Sequence, residues 1–383
     1  MSVAVAVIGL VCLSIAVCYG ILTVIAVVGW HLRRPAPGSS SRPPVTLLKP
    51  LCGAEPSLYE HLRSFCCQDY PEYQIVFGVR DLADPALAVV QCLVAEFPSL
   101  PIDVVVNPQL HGSNYKIGNL INMLERARHD VLIIADSDTF VAPDYLSCVT
   151  APLNDRNVGL VTCVYEDVPT KGIWSRLGAM YINEWYIPSA LLAALFGHRN
   201  YASGQTLCLR RQTLSALGGF AVMANHLADD YRLGELIRGL GLRIELSPTV
   251  VMAEHDEPSL DCLMRHELRW MRTIRALRPR SFRVMFLSFL LPMACCGLLL
   301  SAADSAMWTL AWSLFATAVG ARMALHFAHR IRNRRPLFSD LWLVPPRDLL
   351  LCWIWLQSFF TARVTWRGGE FDVDTDGIMH RPY

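Results

Sequence analysis

From Val3 to Trp30 the chain runs for 28 positions without a charged residue. A helix needs roughly 20 apolar residues to cross a bilayer core, and a helix satisfies all its own backbone donors and acceptors there. The run is therefore expected to span a membrane. A signal peptide fits less well, because no basic segment precedes the run and it is too long for a signal's apolar stretch. Two more apolar runs lie near the other end: Val284–Ala303, closed by Asp304, and Ala306–Phe327, broken only by Arg322. A fourth, Leu349–Phe360, is short for a crossing.

Flanking charge orients these runs. Arg33, Arg34, Arg42 and Lys49 follow the first; Arg272, Arg275, Arg278, Arg280 and Arg283 precede the second. His329, Arg330, Arg332, Arg334 and Arg335 follow the third. The positive-inside rule puts all three clusters on the cytoplasmic side. The expected layout is an anchor over 1–32, a Pro/Ser-rich linker over 33–44 and a cytosolic domain over 45–283. A membrane region follows over 284–366, with two crossings plus a re-entrant or interfacial segment, and then a tail over 367–383. The expected location is a multi-pass membrane protein, a bacterial inner membrane being favoured. With 53% hydrophobic residues and a net charge of +1, a lipid bilayer is an expected partner and nucleic acid is not.

Within 45–283, short apolar runs alternate with amphipathic ones. Val45–Pro50, Gln74–Val79, Ile102–Val106 and Val131–Ala135 read as strands. Ser57–Cys67, Pro85–Phe97 and Ile117–Ala127 read as helices between them. Such alternation predicts an α/β, Rossmann-like domain with a parallel sheet covered on both faces. Ligands bind such sheets at the carboxyl ends of the strands. Asp81 and Asp84 follow the second strand there, and Asp136 and Asp138 follow the fourth.

No glycine-rich phosphate loop is present, so a nucleotide's phosphates would need another counter-charge. A hard divalent cation held by carboxylates supplies one. The D-S-D of Asp136 and Asp138 suits that purpose, one carboxylate for the metal and one for ribose or a metal-bound water. A turn capped by Asp is the plainer alternative. D-S-D-T also nearly matches the nucleophile motif of aspartate-based phosphatases, but Thr139 comes one residue early.

Taken together, the motifs resemble the ceramide glucosyltransferase-type family, glycosyltransferase family 21. They are VTLLKPLCGAEPSL (Val45–Leu58), QDYP (Gln68–Pro71), RDLADP (Arg80–Pro85) and NYKIGNLINM (Asn114–Met123). IADSD (Ile134–Asp138), SGQTLCLRR (Ser203–Arg211), LADDYRLGE (Leu227–Glu235), HELRW (His266–Trp270) and WRGGEF (Trp366–Phe371) complete the set. Within the family the chain looks most like the bacterial branch associated with hopanoid biosynthesis. That implies a GT-A fold and inverting transfer of N-acetylglucosamine from UDP-N-acetylglucosamine to a bacteriohopanetetrol-type lipid, with Mg²⁺ or Mn²⁺. Ceramide glucosylation from UDP-glucose and processive polysaccharide synthesis are the alternatives.

The resemblance also implies roles. Asp84, helped by Asp81, would meet the uracil and ribose. Asp136 and Asp138 would hold the metal and diphosphate, and Asp230 would be the general base, with Asp229 its neighbouring rival. Arg269 would meet the diphosphate, and Trp270 the acceptor or sugar. Gln205 and His266 are further candidates for acceptor or sugar contact. His266 stands where the family carries Gln or Arg.

Other readings come from the residues themselves. Lys116 and Asn119 are candidates for donor contact or for a polar helix start. Arg265, Arg269, Arg272 and Arg275 recur at helical spacing as a stripe facing solvent or lipid headgroups. Ile173–Phe196 is expected to pack on the sheet, with a membrane-lying helix as the alternative.

Overall fold

The computed structural model describes residues 2–32, 41–198, 202–361, 363–366 and 369–381. The expectations resting on Arg33, Arg34, most of the linker and Arg367 lie outside these residues.

Eight strands form the main sheet: β1 Val45–Pro50, β2 Tyr73–Val79, β3 Ile102–Val106, β4 Val131–Ile134, β5 Thr139–Phe140, β6 Val158–Asp167, β7 Leu207–Arg210 and β8 Arg243–Ala253. Their order is β3-β2-β1-β4-β7-β6-β8-β5. The first four are parallel, with Leu48 opposite Val76 on one side and Ile134 on the other. Side chains alternate across the sheet, as the two-residue period requires. Val45, Leu47, Ile75, Phe77 and Ile133 join a layer with Leu62, Phe65, Val90 and Leu93 of the helices Leu58–Cys66 and Ala86–Glu96. Leu48, Val76, Leu132 and Ile134 face the opposite layer, with Ile117, Leu120 and Met123 of helix Tyr115–Leu124.

The second half departs from the all-parallel expectation. β7 runs antiparallel to both β4 and β6, and β5 antiparallel to β8, so the sheet is mixed. The segment expected to pack on the sheet forms helix Gly172–Tyr181, a π-helical turn Ile182–Tyr186 and helix Ile187–Leu195. Tyr181, Ile182, Ile187 and Leu191 enter the core beside sheet residues. The same helix also touches the N-terminal one, where Tyr19 and Ser189 share a 2.8 Å hydrogen bond.

Among the described residues, two helices are long and apolar enough to cross a membrane, over Val3–His31 and Ser305–Arg332. The run Val284–Ala303 is interrupted at Phe289, and its helix, Leu290–Ser301, has only 12 residues. At 1.5 Å per residue that is about 18 Å, short of a full hydrocarbon core. It packs against the N-terminal helix through small residues: a Cβ on Gly297 would stand 2.8 Å from the Gly9 carbonyl. Close backbone approach of this kind is how helices associate in lipid.

Arg322, the lone charge of the third run, is buried and fully engaged. It reaches Glu184 at 2.9 Å and Asp348 at 2.9 Å, and Glu184 also meets His326 at 2.8 Å. Asp348 belongs to helix Val344–Gln357, which buries Arg347, Leu351 and Ile354 and leaves Leu349, Trp353 and Leu356 exposed. Beyond it the chain turns back to form a small antiparallel sheet, β9 Arg363–Trp366, β10 Gly369–Val373 and β11 Met379–His380. Trp366 stacks on Tyr115, and Met379 N donates to the Asn225 carbonyl, so this small sheet sits against the part of the chain that carries the main sheet.

Candidate active site

The rim at the carboxyl ends of β1, β2 and β4 gathers the aspartates. Asp84 Oδ1 accepts from Gly53 N at 3.0 Å and from Ala86 N at 2.9 Å. It therefore ties the loop after β1 to the turn leading into helix Ala86–Glu96, a duty that does not need a ligand. Asp81 is exposed, and its Oδ1 accepts from Ala83 N at 2.9 Å.

Asp136 and Asp138 leave β4 into different surroundings. Asp136 Oδ1 lies 2.6 Å from Lys116 Nζ, which also reaches Asp229 at 3.4 Å. Burial opposes the Lys116 charge, but Asp136 and Asp229 outweigh it and raise its pKa. Lys49, at the end of β1, is completely buried, donates to the Asp136 carbonyl and lies 3.8 Å from the centre of the Phe65 ring. Asn119 does not reach this rim. It is buried and donates to the Gly78 carbonyl at 2.7 Å, holding its helix to β2.

Asp138 sits beside a residue that sequence reasoning missed. The β5–β8 pairing sets Thr139 opposite Ala253, and Glu254 N donates to the Asp138 carbonyl at 3.1 Å. His255 Nε2 consequently stands 3.5 Å from Asp138 Oδ2, while its Nδ1 meets Asp167 at 3.0 Å. Asp138 Oδ1 is buried without a hydrogen-bond partner. The available signal was Glu254-His255-Asp256-Glu257, a polar cluster immediately after an apolar strand.

The antiparallel pairing of β7 with β4 brings Gly204 alongside Asp136 and Lys116. A Cβ there would lie 2.8 Å from Asp136 Oδ2 and 3.1 Å from Lys116 Nζ. Gly204 N also donates to Asp230 Oδ2 at 3.1 Å. Asp229 and Asp230 open helix Asp229–Gly239, where the helix dipole favours carboxylates. Burial, reinforced by Asp229, nevertheless pushes the Asp230 carboxyl up to about 6. Gln205, one residue on, accepts from the Ser203 hydroxyl.

Helix Leu260–Leu277 carries the HELRW motif. Trp270 stacks on Tyr181, rings 5.4 Å apart and 18° from parallel, and lies 4.0 Å from His266. His266 Nδ1 meets Glu257 at 2.6 Å. Burial holds His266 well below its ordinary range and pushes Glu257 up to about 7, so this contact is a hydrogen bond more than an ion pair. The Arg269 guanidinium lies 6.0 Å from the Trp270 ring. The expected arginine stripe is divided. Arg265 pairs with Asp261 at 2.6 Å, whereas Arg272 and Arg275 donate to the carbonyls of Arg363 and Thr361.

Among the described residues, no group of three or more His, Cys, Asp and Glu forms a ready metal cage. A cation bound with a nucleotide does not need one, since phosphate oxygens and water complete its shell. The buried, unpartnered Asp138 Oδ1 fits such a partial donor set. Against the cost of burial, Asp167 and Asp138 hold the adjacent His255 up to about 10, so it would have to release its Nε2 proton to join that set. Asp167 on Nδ1 matches the carboxylate that commonly orients a metal-binding imidazole.

The sequence model of Glycosyl transferase family 21 matches residues 8–379, nearly the whole chain. The chain belongs to glycosyl transferase family 21. Among family 21 relatives, ceramide glucosyltransferase 3 of Caenorhabditis elegans is 22% identical over 362 residues, covering 92% of this chain and 78% of the relative. Ceramide glucosyltransferase of Candida albicans is 30% identical over 122 residues, covering 29% of this chain and 22% of that protein. Among solved structures, the mannosyltransferase PcManGT of Pyrobaculum calidifontis, in complex with GDP-Man and Mn²⁺, superposes with a TM-score of 0.52. It is 21% identical, over 91% of this chain and 99% of the other. The family 21 chain is thus a glycosyltransferase with a GT-A fold.

Proposed function

We propose that this glycosyltransferase is membrane-bound, metal-dependent and inverting, and moves a sugar from a UDP-sugar to a hydroxyl of a membrane lipid. The observation that carries the proposal is the junction at Gly204, whose amide holds Asp230 while its α-carbon abuts Asp136 and Lys116. That glycine thereby joins the candidate base to the carboxylate–lysine pair.

Asp230 is the better base of the adjacent pair. Asp229 shares the Lys116 ammonium, whereas Asp230 is hydrogen-bonded by the amides of Gly204 and Tyr231 and has a pKa raised toward neutrality. It takes the acceptor hydroxyl's proton as that oxygen bonds to the anomeric carbon. The bond from that carbon to UDP breaks on the opposite side, giving inversion without a covalent intermediate. Asp138 and His255 would hold a divalent cation, which when bound stabilises the charge on the departing diphosphate. Mn²⁺ in the PcManGT complex supports that reading. Lys116 fixes Asp136, Asp84 anchors the nucleoside end of the rim with exposed Asp81 beside it, and Trp270 with Arg269 lines the acceptor side. Gln205 and His266 complete the sugar and acceptor contacts.

The apolar helices Val3–His31 and Ser305–Arg332 support crossings that leave the catalytic domain cytosolic. The chain over 284–304, of which Leu290–Ser301 is the helical part, would then make the return crossing beside the N-terminal helix, and Val344–Gln357 would lie in the interface with its apolar face toward lipid. A two-dimensional acceptor supply suits an enzyme tethered in this way.

UDP-N-acetylglucosamine and a bacteriohopanetetrol-type hopanoid follow from the motif resemblance. UDP-glucose and ceramide are favoured by the names of the relatives. The deciding experiment incubates purified protein and a divalent cation with a panel of UDP-sugars and either lipid, and identifies products by mass spectrometry. UDP release that requires both cation and lipid is expected. Polymer formed without lipid, or phosphate release from a phosphomonoester, would overturn the proposal.

A further inference from the structure

Helix Leu260–Leu277 leads away from the aspartate rim to a second, cationic cavity. It has a volume of about 480 Å³ and is lined by Arg272, Arg275, Arg283, Phe359, Val373 and Asp374 among others. That size is typical of small-molecule sites. None of the rim aspartates and none of the residues His266 to Trp270 contributes to its lining.

Its charge is held in place, and among the described residues no carboxylate pairs with Arg272, Arg275 or Arg283. Arg272 Nη1 donates to the Arg363 carbonyl at 2.8 Å, and Arg275 Nη2 donates to the Thr361 carbonyl at 2.9 Å. A guanidinium carries five N–H donors, so one contact with a neutral carbonyl leaves both charge and donors available. Arg272 Nε is buried with no hydrogen-bond partner. Asp374, which lines the cavity, is already committed. Its Oδ2 meets His380 at 2.8 Å, and its Oδ1 accepts from the amides of Asp376 and Ile378.

The surroundings point toward lipid. Phe359 packs on Phe282 and Trp355 at ring distances of 5.4 and 5.0 Å. It follows directly on helix Val344–Gln357, whose outward face exposes Leu349, Trp353 and Leu356, with Phe360 beyond. A helix with such a face lies at the headgroup boundary, where clustered arginines meet lipid phosphates.

We propose that this cavity binds the phosphate headgroup of an anionic phospholipid, separately from donor and acceptor. The guanidiniums of Arg272, Arg275 and Arg283 take the phosphate oxygens, a geometry arginine suits better than lysine, while Phe359 meets the glycerol end. Occupancy would neutralise the cluster beside the contacts that Arg272 and Arg275 make to Arg363 and Thr361. The inference rests on the membrane seating proposed above, and not on which sugar or acceptor is used.

The test titrates the full-length protein in a neutral detergent, by calorimetry, with dihexanoyl phosphatidylglycerol, dihexanoyl phosphatidylcholine and inorganic phosphate. Phosphatidylglycerol should bind about tenfold or more tightly than phosphatidylcholine, with a preference that shrinks at high salt. Arg283 is exposed, so Arg283→Gln should preserve folding and UDP binding while weakening phosphatidylglycerol about tenfold. Equal affinity for the two lipids, or unchanged binding by Arg283→Gln, would overturn the site. So would displacement by UDP. Phosphate binding as tightly as phosphatidylglycerol would assign the cavity to a soluble anion and overturn the lipid. Failure to turn over any UDP-sugar would leave this binding measurable, so the two proposals fail separately.

Discussion

Arg347 forks onto Glu267, its two terminal nitrogens 2.6 and 2.8 Å from the two carboxylate oxygens, with both side chains buried. The fork joins helix Val344–Gln357 to the HELRW helix at the residue between His266 and Leu268. Removing one member leaves an uncompensated buried charge, which costs about 3–5 kcal/mol, whereas an apolar pair of similar volume is often tolerated. Arg347→Ala should therefore lower the melting temperature sharply in detergent and abolish transfer. Glu267→Leu combined with Arg347→Met should recover most of the stability. Equal melting of Arg347→Ala and the parent would remove the fork from the account.

Asp230 predicts both an acid limb in activity and a cost in stability. A base must be ionised, so kcat/KM should fall as pH drops through about 6, where burial and Asp229 place its titration. The stability effect has the opposite sense to a salt-bridged carboxylate. Below the unfolded value, near 3.9, both states hold the proton and the group is neutral to folding. Between there and about 6 the unfolded state loses the proton first, so stability declines as pH rises and stays lower above 6. Asp230→Asn should thus abolish turnover while raising stability at pH 8 by on the order of 2 kcal/mol, with little gain at pH 4. Full turnover in this variant, measured as UDP release, would assign the base elsewhere.

How much could be read beforehand follows from the range of the interactions. β1, β2 and β4 are buried, largely apolar runs and β3 a half-buried one, separated by helices, a pattern written within a few residues, and the D-S-D at the end of β4 came with it. β5 and β7 have two and four residues, and their places depend on antiparallel partners far along the chain. His255 escaped notice for that reason: its approach to Asp138 is created by the pairing of Thr139 with Ala253. Arg322 looked like a blemish in an apolar run because its partners, Glu184 and Asp348, lie 138 and 26 residues away. Apolar content alone likewise gave no sign that Val284–Ala303 breaks at Phe289.

Gly204 offers a test confined to a single methyl group. Its Cβ would press within 2.8 Å of Asp136 Oδ2, closer than such contacts occur, and 3.1 Å from Lys116 Nζ. Gly204→Ala must displace the carboxylate, the lysine or the Gly204 amide that holds Asp230. Because misplacement by about 1 Å can cost on the order of a hundredfold in rate, kcat should fall by about that factor. The melting temperature should change by only a few degrees. Unchanged kcat would separate Asp136 and Lys116 from the chemistry.

The surroundings of Asp138 predict cation-dependent donor binding. Its Oδ1 is buried with no partner, and His255 beside it is oriented by Asp167. An unpaired buried oxygen is costly, and a cation would relieve that cost in the bound state. Chelation should abolish transfer, with Mg²⁺ or Mn²⁺ restoring it, and UDP should raise the melting temperature only when the cation is present. Asp138→Asn and His255→Gln should each lose that cation-dependent rise while still melting cooperatively. Asp167→Asn touches only the orienting group, so cation affinity should weaken by about 10- to 100-fold without being lost. If Asp138→Asn kept the full UDP- and cation-dependent rise, the carboxylate would have to be serving the turn instead of the nucleotide.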